Sequence, residues 1–366
     1  MFVPYVNLSI QYQLLKCKID NRIMDVLESG NYILGNEVFE FERKISDFCN
    51  SNYCVGVSNG TSALMLALKS LGIGNGDEVI TAPNSFFATA TSIALTNAKP
   101  VFADVKDDFT LDPKLVKECI TDRTRAIIPV HLTGLSADMN ALMEISREHE
   151  IPIVEDAAQA VGAYFERRHV GTFGVAGCFS LYPLKNLGGV GDGGFILTQE
   201  EKTFESLLRL RNLGMITRGI AHEWSINSRL DELQAAILNV KIEKLQSWNK
   251  RRRMIAQRYT ESLSKHVLTP IIRENRLHVY HTYVIRTSFR DELKKHLHDR
   301  NIETAIHYPV PIHLQPAAKN LGYRMGDFPE AETQSKEILS LPIYSGIADE
   351  QVEYVIENII DFFNSL

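Results

Sequence analysis

The stretch YCVGVSNGTSALMLALKSLG, residues 53–72, carries the clearest signal for the fold. Residues 53–57 are mostly apolar and include two valines, which is typical of a buried strand. Residues 61–71 place alanine and leucine along one stripe at helical spacing, and residues 72–77, rich in Gly and Asn, form a turn after them. The stretch therefore predicts a strand, a short connection and a helix, the repeating unit of an α/β fold.

The same alternation continues to about residue 197. Apolar runs predict further strands, and periodic runs predict helices between them. Strands are expected at 78–81, 100–103, 125–130, 151–154 and 195–198, and helices at 88–97 and 137–149. Such a pattern indicates a largely parallel sheet covered by helices on both faces, with ligands at the carboxyl ends of its strands.

The C-terminal third has a different pattern. A long helical pattern runs from about residue 230 to 263, and a strand at 282–287 and helices at 290–300 and 350–363 follow it. We therefore predict a large domain over residues 1–245 and a smaller C-terminal α/β domain over residues 246–366.

Composition excludes some classes of function. The 366 residues are 45% hydrophobic, which is enough for an extensive core. With 39 basic and 45 acidic residues the net charge is −6, so charge gives no reason to expect a nucleic acid partner. The basic cluster at residues 250–253 (KRRR) lies in a helical stretch and is interpreted as a solvated face.

Cysteine usage and the N-terminus indicate a cytosolic protein. The five cysteines are scattered without a CxxC pair, which favours reduced thiols and predicts no metal site. The N-terminus lacks a basic segment followed by an apolar one, so no signal peptide is expected. No apolar run approaches the roughly 18 residues that a membrane span needs.

Two further stretches suggest a covalent cofactor site. The run IVEDAAQ, residues 153–159, places Glu155 and Asp156 at the end of a buried strand, and SLYPLKNLGG, residues 180–189, places Lys185 beside a glycine-rich turn. A lysine amine forms a Schiff base with an aldehyde, and an aspartate can keep a pyridine nitrogen protonated. These are the two groups that pyridoxal 5′-phosphate (PLP) requires from a protein.

Each feature also has a plainer interpretation. Residues 58–62 fit a phosphate site at a helix N-terminus or an ordinary helix cap. Phe86 fits stacking on a flat ring or filling of the core, and Asp156 fits a pyridine contact or an N-cap for the segment after it. The run GVGDGG, residues 189–194, matches GxGxxG but precedes a strand-like run, so we reject a dinucleotide site and interpret it as the turn that aims Lys185.

Taken together, these motifs resemble the DegT–DnrJ–StrS group of PLP-dependent sugar aminotransferases over nearly the whole chain. The matching stretches are 30–35 (GNYILG), 58–64 (SNGTSAL), 76–80 (GDEVI), 155–159 (EDAAQ), 185–188 (KNLG), 191–194 (GDGG), 227–238 (NSRLDELQAAIL) and 306–309 (IHYP). The resemblance implies the aspartate aminotransferase fold (fold type I), with a mostly parallel seven-stranded sheet covered by helices and a smaller C-terminal α/β domain.

The resemblance also implies roles in binding the cofactor. Lys185 would form the Schiff base, Asp156 would contact the pyridine nitrogen, and Gln159 would contact the ring hydroxyl. Phe86 would stack on the ring. The phosphate would be held by Gly60, Thr61, Ser62, Ser180 and, from the neighbouring subunit of a homodimer, Asn227.

For the substrate, the resemblance points to His307, Tyr308 and His313. Tyr182, which flanks Lys185, and Arg229 are further candidates. Tyr182 fits ordinary packing equally well. Arg229 fits a contact to the carboxylate of glutamate, a contact to an acidic sugar, or a structural ion pair. The chain departs from its relatives at Thr133, where they often carry an aromatic residue, and this concerns local contacts to the sugar.

The implied reaction transfers an amino group from L-glutamate to a keto group of a deoxy- or acetamido-sugar linked to dTDP or UDP, with pyridoxamine 5′-phosphate formed between the two halves. The segments at 227–229 and 307–309 favour a 3-keto over a 4-keto sugar. Two alternatives are a sugar dehydratase of the same fold, which carries histidine in place of Lys185, and a PLP-binding regulator, which the intact lysine, aspartate and glutamine disfavour.

Overall fold

The computed structural model describes residues 1–217 and 219–366, which form an α/β structure around one large sheet. In chain order the strands are β1 (Tyr53–Val57), β2 (Glu78–Thr81), β3 (Lys99–Phe102), β4 (Thr124–Ile128), β5 (Val154–Asp156), β6 (Tyr164–Phe165), β7 (Arg168–His169), β8 (Ala176–Ser180), β9 (Gly194–Thr198), β10 (Met215–Thr217), β11 (Ile220–Ala221), β12 (Arg276–Leu277), β13 (Tyr283–Arg286) and β14 (Ile338–Leu341).

The helices surround the sheet and continue into the C-terminal part. They are α1 (Leu8–Ser29), α2 (Asn36–Cys49), α3 (Gly60–Ser70), α4 (Ala88–Leu95), α5 (Pro113–Glu118), α6 (Met139–His149), α7 (Glu201–Leu210), α8 (Glu232–Leu263), α9 (Arg290–His298), α10 (Pro329–Glu337) and α11 (Asp349–Asn364).

The large sheet has the strand order β1-β9-β8-β5-β4-β2-β3. Parallel bridges between Ile127 and Ile153 and between Val130 and Asp156 join β4 to β5. Strand β9 runs antiparallel to both of its neighbours, whereas the other neighbouring pairs are parallel. The predicted mostly parallel, seven-stranded sheet is therefore confirmed.

The predicted element boundaries lie within three residues of the observed ones. The largest difference concerns the strand predicted at 151–154, which the structure places at Val154–Asp156. Pro152 has no N–H to donate to a ladder, although its carbonyl accepts a hydrogen bond of 3.0 Å from the amide of Ile127. The regular strand consequently begins after the proline and ends closer to the site.

Helices cover both faces of the large sheet. One core cluster joins strand residues to α3 and α7, with Leu64, Leu68 and Leu207 buried in it. The other face packs on α2 and α8, where Phe41 and Leu238 are buried. With both faces covered, the exposed edge formed by the carboxyl ends of the strands is left for ligands.

Helix α8 passes through the predicted domain boundary at residue 245. Its first half is buried against the large sheet, whereas Ile255, Tyr259 and Leu263 belong to the C-terminal core cluster. The N-terminal residue Val3 also joins that cluster, and its carbonyl accepts a hydrogen bond of 2.9 Å from the amide of Glu303. The division at residue 245 stays a prediction.

The basic cluster at residues 250–253 is not a solvated face throughout. Arg252 is only 4% exposed, and its guanidinium donates hydrogen bonds to the carbonyls of Tyr280, His281 and Ile343. The prediction was wrong for this residue because its charge satisfies carbonyl oxygens inside the fold, which a run of basic letters does not reveal.

Among the described residues, no helix combines the length and the apolar character that crossing a membrane requires. Within the same residues, no group of three His, Cys, Asp or Glu side chains is arranged to hold a metal ion. All five cysteines are free thiols.

Candidate active site

The carboxyl ends of the central strands open into a cavity of about 370 Å³. Loops that follow parallel strands meet at one edge of a sheet, so segments distant in sequence come together here. The structure brings ten of the predicted residues into the wall of this cavity, namely Gly60, Thr61, Phe86, Asp156, Gln159, Ser180, Tyr182, Lys185, His307 and Tyr308.

Lys185 lies in a closed turn after β8. Its amide donates a hydrogen bond of 2.8 Å to the carbonyl of Tyr182, and the amide of Gly189 donates one of 2.7 Å to the carbonyl of Leu181. Burial lowers the pKa of the Lys185 amine from 10.5 to about 8, although the charge of Asp156 acts in the opposite direction. A lowered pKa leaves more of the amine neutral near pH 7, which is the form that attacks an aldehyde.

Asp156 ends β5 and faces the cavity. Its Oδ2 accepts a hydrogen bond of 2.7 Å from the Thr89 hydroxyl, and its Oδ1 accepts one of 3.2 Å from the amide of Ala158. Burial raises the pKa of Asp156, while these two hydrogen bonds and the Lys185 amine act against that rise. Residues 157–163 form turns rather than a helix, so there is no helix for Asp156 to cap.

Glu155 has a different role from the aspartate beside it. Its carboxylate accepts hydrogen bonds from the amides of Gly171, Phe173 and Gly174, at 2.6, 2.7 and 2.9 Å, and lies 3.0 Å from Nε2 of His131. Burial raises its pKa, but the hydrogen bonds from His131 and from these amides outweigh that effect and lower it. Because side chains alternate along a strand, Glu155 anchors a loop behind the sheet.

The start of α3 forms a cradle beside the end of β8. Asn59 caps the helix by accepting a hydrogen bond of 2.8 Å from the amide of Ser62. A Cβ on Gly60 would lie 3.0 Å from Cβ of Ser180, so glycine allows the helix to begin this close to the strand. The first amides of a helix lack partners within it and favour negative charge, so the cap at Asn59 leaves the start of α3 able to hold an anion. The Ser62 hydroxyl lies 3.3 Å from that of Ser58.

Aromatic and amide groups form another wall of the cavity. Phe86 is 43% exposed, which disfavours core filling, and its ring lies 5.5 Å from that of Tyr308. Gln159 is fixed at both ends of its amide: Nε2 donates to the Tyr308 hydroxyl at 3.1 Å, and Oε1 accepts from the amide of Thr133 at 2.7 Å.

His307 and Tyr182 complete the part of the cavity predicted to meet substrate. Nδ1 of His307 lies 2.9 Å from the hydroxyl of Ser340. Burial, helped by the nearby Lys185 charge, lowers the pKa of His307 to about 4, so this imidazole is neutral at pH 7. Tyr182 is half-exposed at the rim.

His313 is held away from the cavity. It is buried, its Nε2 lies 3.0 Å from the carboxylate of Glu332, and its ring packs against Phe328 with centroids 4.6 Å apart. These contacts give His313 a structural role and do not support the predicted contact with substrate.

Asn227 and Arg229 lie outside the cavity of their own chain. Asn227 is exposed, and the guanidinium of Arg229 donates a hydrogen bond of 3.1 Å to the side chain of Asn212. The intervening Ser228 fixes the segment, because its hydroxyl lies 2.9 Å from that of Ser58. The contact of Asn227 with a neighbouring subunit's phosphate and the contact of Arg229 with a carboxylate both stay predictions.

The residues of the cavity wall that were not foreseen from the sequence include Thr89, Asp192 and His281. Asp192 lies in the GDGG run, which was interpreted only as a turn. Thr89 lies three residues after Phe86, on the first turn of α4. Nδ1 of His281 is enclosed and has no partner among the described residues.

The groups in this cavity fit PLP. The buried amine matches the aldehyde of the cofactor, and the carboxylate held by two donors matches its pyridine nitrogen. The start of a helix matches the phosphate, and the exposed aromatic ring matches the face of the pyridine ring. We propose that Lys185, Asp156, Gly60, Thr61, Ser180, Phe86 and Gln159 would hold it.

Comparisons with known proteins give concordant results. Residues 14–360 match the DegT/DnrJ/EryC1/StrS aminotransferase family. A "pleiotropic regulatory protein" of Geobacillus stearothermophilus is 44% identical, over 99% of each chain. The dTDP-3-amino-3,4,6-trideoxy-alpha-D-glucose transaminase of Streptomyces venezuelae is 42% identical, over 97% of this chain and 94% of that protein. The crystal structure of S. venezuelae DesV in complex with ketimine intermediate has a TM-score of 0.98 at 41% identity, covering 100% of this chain and 99% of that one.

Proposed function

Because the chain belongs to the DegT/DnrJ/EryC1/StrS aminotransferase family, it is a PLP-dependent aminotransferase, and we propose that it moves an amino group from L-glutamate to the 3-keto group of a nucleotide-linked sugar. The observation that carries this proposal is the cavity in which Lys185, Asp156 and the start of α3 at Gly60 meet. The S. venezuelae relative is named for an amine at C3 of a dTDP-linked deoxysugar, which supports a 3-keto rather than a 4-keto substrate.

The residues of this chain divide the chemistry among them. Bound PLP supplies an electron sink for the carbon that loses its proton. The Lys185 amine, with a pKa near 8, takes that proton and releases it at a neighbouring atom close to neutral pH. The Asp156 carboxylate would hold the proton on the pyridine nitrogen of bound PLP, and Gln159 would orient its ring hydroxyl. Phe86 would cover one face of the ring and exclude water.

The substrate side of the cavity suits a sugar. A neutral His307 offers its free ring nitrogen for hydrogen bonding to a hydroxyl group, without the charge that would attract a carboxylate. Tyr182 and Tyr308 supply flat apolar surfaces with polar ends, which are suited to sugar rings. We exclude His313 from this set because of its bond to Glu332.

The proposed active unit is a homodimer with shared sites. Asn227 is exposed beside the segment that Ser228 fixes to the start of α3, so its amide is available to a neighbouring subunit. We propose that Asn227 reaches the partner's phosphate cradle and that Arg229 approaches the partner's substrate. The free thiols of all five cysteines support a cytosolic site of action.

Neither alternative function is favoured. A dehydratase of this fold carries histidine where this chain has Lys185. The Geobacillus relative bears a regulatory name, but the groups for amine transfer are intact here, and Asp156 and Gln159 are held by hydrogen bonds suited to catalysis.

The decisive experiment supplies PLP, L-glutamate and a panel of 3-keto and 4-keto sugars linked to dTDP or UDP, with products identified by mass spectrometry and NMR. We expect a 3-amino sugar nucleotide and 2-oxoglutarate, and no product with Lys185→Ala. Amination of 4-keto sugars alone would show that the position is wrong. Bound PLP with no amination of any sugar would favour the regulatory alternative.

A further inference from the structure

One side of helix α8 carries polar side chains that bond to the segments around the cavity. Gln234, Lys241, Asn249 and Arg252 follow one another at spacings of seven, eight and three residues, which places them on one side of the helix. Among these four residues, Lys241 is the one whose burial as a cation has no evident reason in the proposed chemistry.

Lys241 is a buried cation without an anionic partner. It is 6% exposed, and its Nζ donates a hydrogen bond of 2.6 Å to the carbonyl oxygen of Gly188. No carboxylate of the described residues lies within salt-bridge distance, and burial lowers the pKa of this amine to about 8. An unpaired buried ammonium is costly, whereas methionine would fill a similar volume without that cost.

The acceptor of this hydrogen bond lies in the turn that carries Lys185. A Cβ on Gly188 would lie 2.3 Å from the carbonyl oxygen of Pro183 and 2.9 Å from that of Tyr182, so the turn closes tightly on itself at this glycine. A donor on the carbonyl of Gly188 therefore fixes the point at which the turn closes, three residues after Lys185.

Two more side chains of α8 hold the same segment. Oε1 of Gln234 accepts a hydrogen bond of 2.9 Å from the amide of Val190, and Oδ1 of Asn249 accepts one of 2.8 Å from the amide group of Asn186. The segment 186–190 is thus attached to α8 at three points, and Lys241 provides the central one.

We propose that Lys241 is a positioning residue for Lys185: by holding the carbonyl of Gly188 on α8, it fixes the turn and thereby the place of the Lys185 amine in the cavity. The inference rests on the proposed function, in which Lys185 binds PLP. Because Asp156 at the end of β5 and the start of α3 would also hold PLP, a displaced turn would separate the Lys185 amine from an aldehyde whose position is set by those residues.

The test compares Lys241→Met with two matched variants. Lys241→Arg keeps a cationic donor. Lys44→Met removes an amine that also donates to a carbonyl of α8, that of Asn239 at 3.2 Å, but away from the turn. For each protein, the visible absorbance of PLP bound covalently to Lys185 is recorded against pH, and its rate of appearance is measured when PLP is added to cofactor-free protein.

We expect covalent binding of PLP to be about tenfold slower in Lys241→Met, with a displaced midpoint of the absorbance–pH curve, because one charge-assisted hydrogen bond is lost. Lys241→Arg should regain most of the native rate, and Lys44→Met should match the native protein. If Lys241→Met does not fold, Lys241→Gln, whose shorter side chain keeps a polar group, takes its place.

A native rate and a native midpoint in Lys241→Met, whatever its melting temperature, would overturn the proposal and leave Lys241 a purely structural residue. If the native protein itself never develops the absorbance, the proposed function fails, and this inference fails with it.

Discussion

The hydroxyl of Thr89 donates a hydrogen bond of 2.7 Å to Oδ2 of Asp156, which ties the first turn of α4 to the end of β5. The same hydroxyl lies 2.8 Å from that of Ser85, so a short chain of hydroxyl groups leads to the carboxylate. Burial raises the pKa of Asp156, and the donor on Thr89 opposes this effect. Thr89 therefore helps to keep Asp156 ionised, as a partner for the pyridine nitrogen must be.

Replacing Thr89 with valine should lower kcat about tenfold, because a buried carboxylate loses a donor. The pKa of Asp156 should rise further, so the loss should deepen as the pH falls. Measurement of kcat against pH tests this, with Thr96→Val as control, since Thr96 makes a hydrogen bond of 2.8 Å to Ile93 on the same helix. If kcat of Thr89→Val falls at low pH in the same way as kcat of the native protein, Thr89 does not help to keep Asp156 ionised.

Lys185→Met should abolish covalent PLP binding and yet stabilise the cofactor-free protein. A pKa lowered from 10.5 to about 8 corresponds to about 3 kcal/mol of destabilisation at pH 7, and the expected gain in the free energy of unfolding is about 1–3 kcal/mol. Urea unfolding at pH 7 gives the stability, and visible absorbance gives the cofactor linkage. Persistence of the absorbance would remove Lys185 from its role.

Replacing each of the two adjacent carboxylates with an amide should affect different properties, activity for Asp156 and stability for Glu155. Asp156→Asn should lower kcat by about a hundredfold or more while leaving the fold intact. Glu155→Gln should lower the free energy of unfolding by about 3 kcal/mol, because a buried charge that holds Gly171, Gly174 and His131 is lost. Melting curves and kcat are measured for both variants. Near-normal turnover in Asp156→Asn would contradict a catalytic role for Asp156.

Shared active sites can be tested by mixing two variants whose defects lie in different residues of the site. Asn227→Ala should release PLP more readily, because one donor to the phosphate is lost from the partner's site. Mixed dimers of Lys185→Ala and Asn227→Ala contain one site with both native residues, so activity should return on mixing. Lys185→Ala mixed with Asp156→Asn is the control, since every site then keeps a defect. No recovery in the first mixture would argue against a shared phosphate site.

Uptake of PLP by the cofactor-free protein should depend on pH. With the pKa of Lys185 lowered to about 8, the amine is mostly protonated at pH 6.5 and mostly neutral at pH 9, and the neutral form is the nucleophile. The rate of covalent binding should rise through about pH 8 and then level off. Stopped-flow absorbance measures this rate, and a midpoint near 10.5 would mean that the amine is not buried.

Local patterns were sufficient for six of the seven strands of the large sheet and for Lys185 and Asp156 in the site, whereas β8 (Ala176–Ser180) was not predicted from them. The strand at residues 53–57 and the helix after it are specified by neighbours in sequence, and the strand-end position of Asp156 follows from the apolar run before it. Lys185 could be proposed because a glycine-rich turn beside a lysine is itself a local signal.

Residues whose roles depend on distant partners could not be predicted in the same way. Nothing near Thr89 indicates a bond to a residue 67 positions away. Arg252 looks solvated within a basic run because its carbonyl partners come from other segments. His313 follows the His307-Tyr308 pair closely in sequence, but the partner of its ring is Glu332, a residue 19 positions away.

The 32-residue helix α8 also determines how cooperatively the protein unfolds. Leu238 and Leu245 are buried with the large sheet, and Tyr259 and Leu263 are buried with the C-terminal strands. One continuous helix therefore belongs to both cores. Melting either core exposes half of a helix on which the other depends. Heat should therefore unfold this chain in a single cooperative step. Cleavage of the chain in the middle of α8 should leave neither fragment able to fold independently.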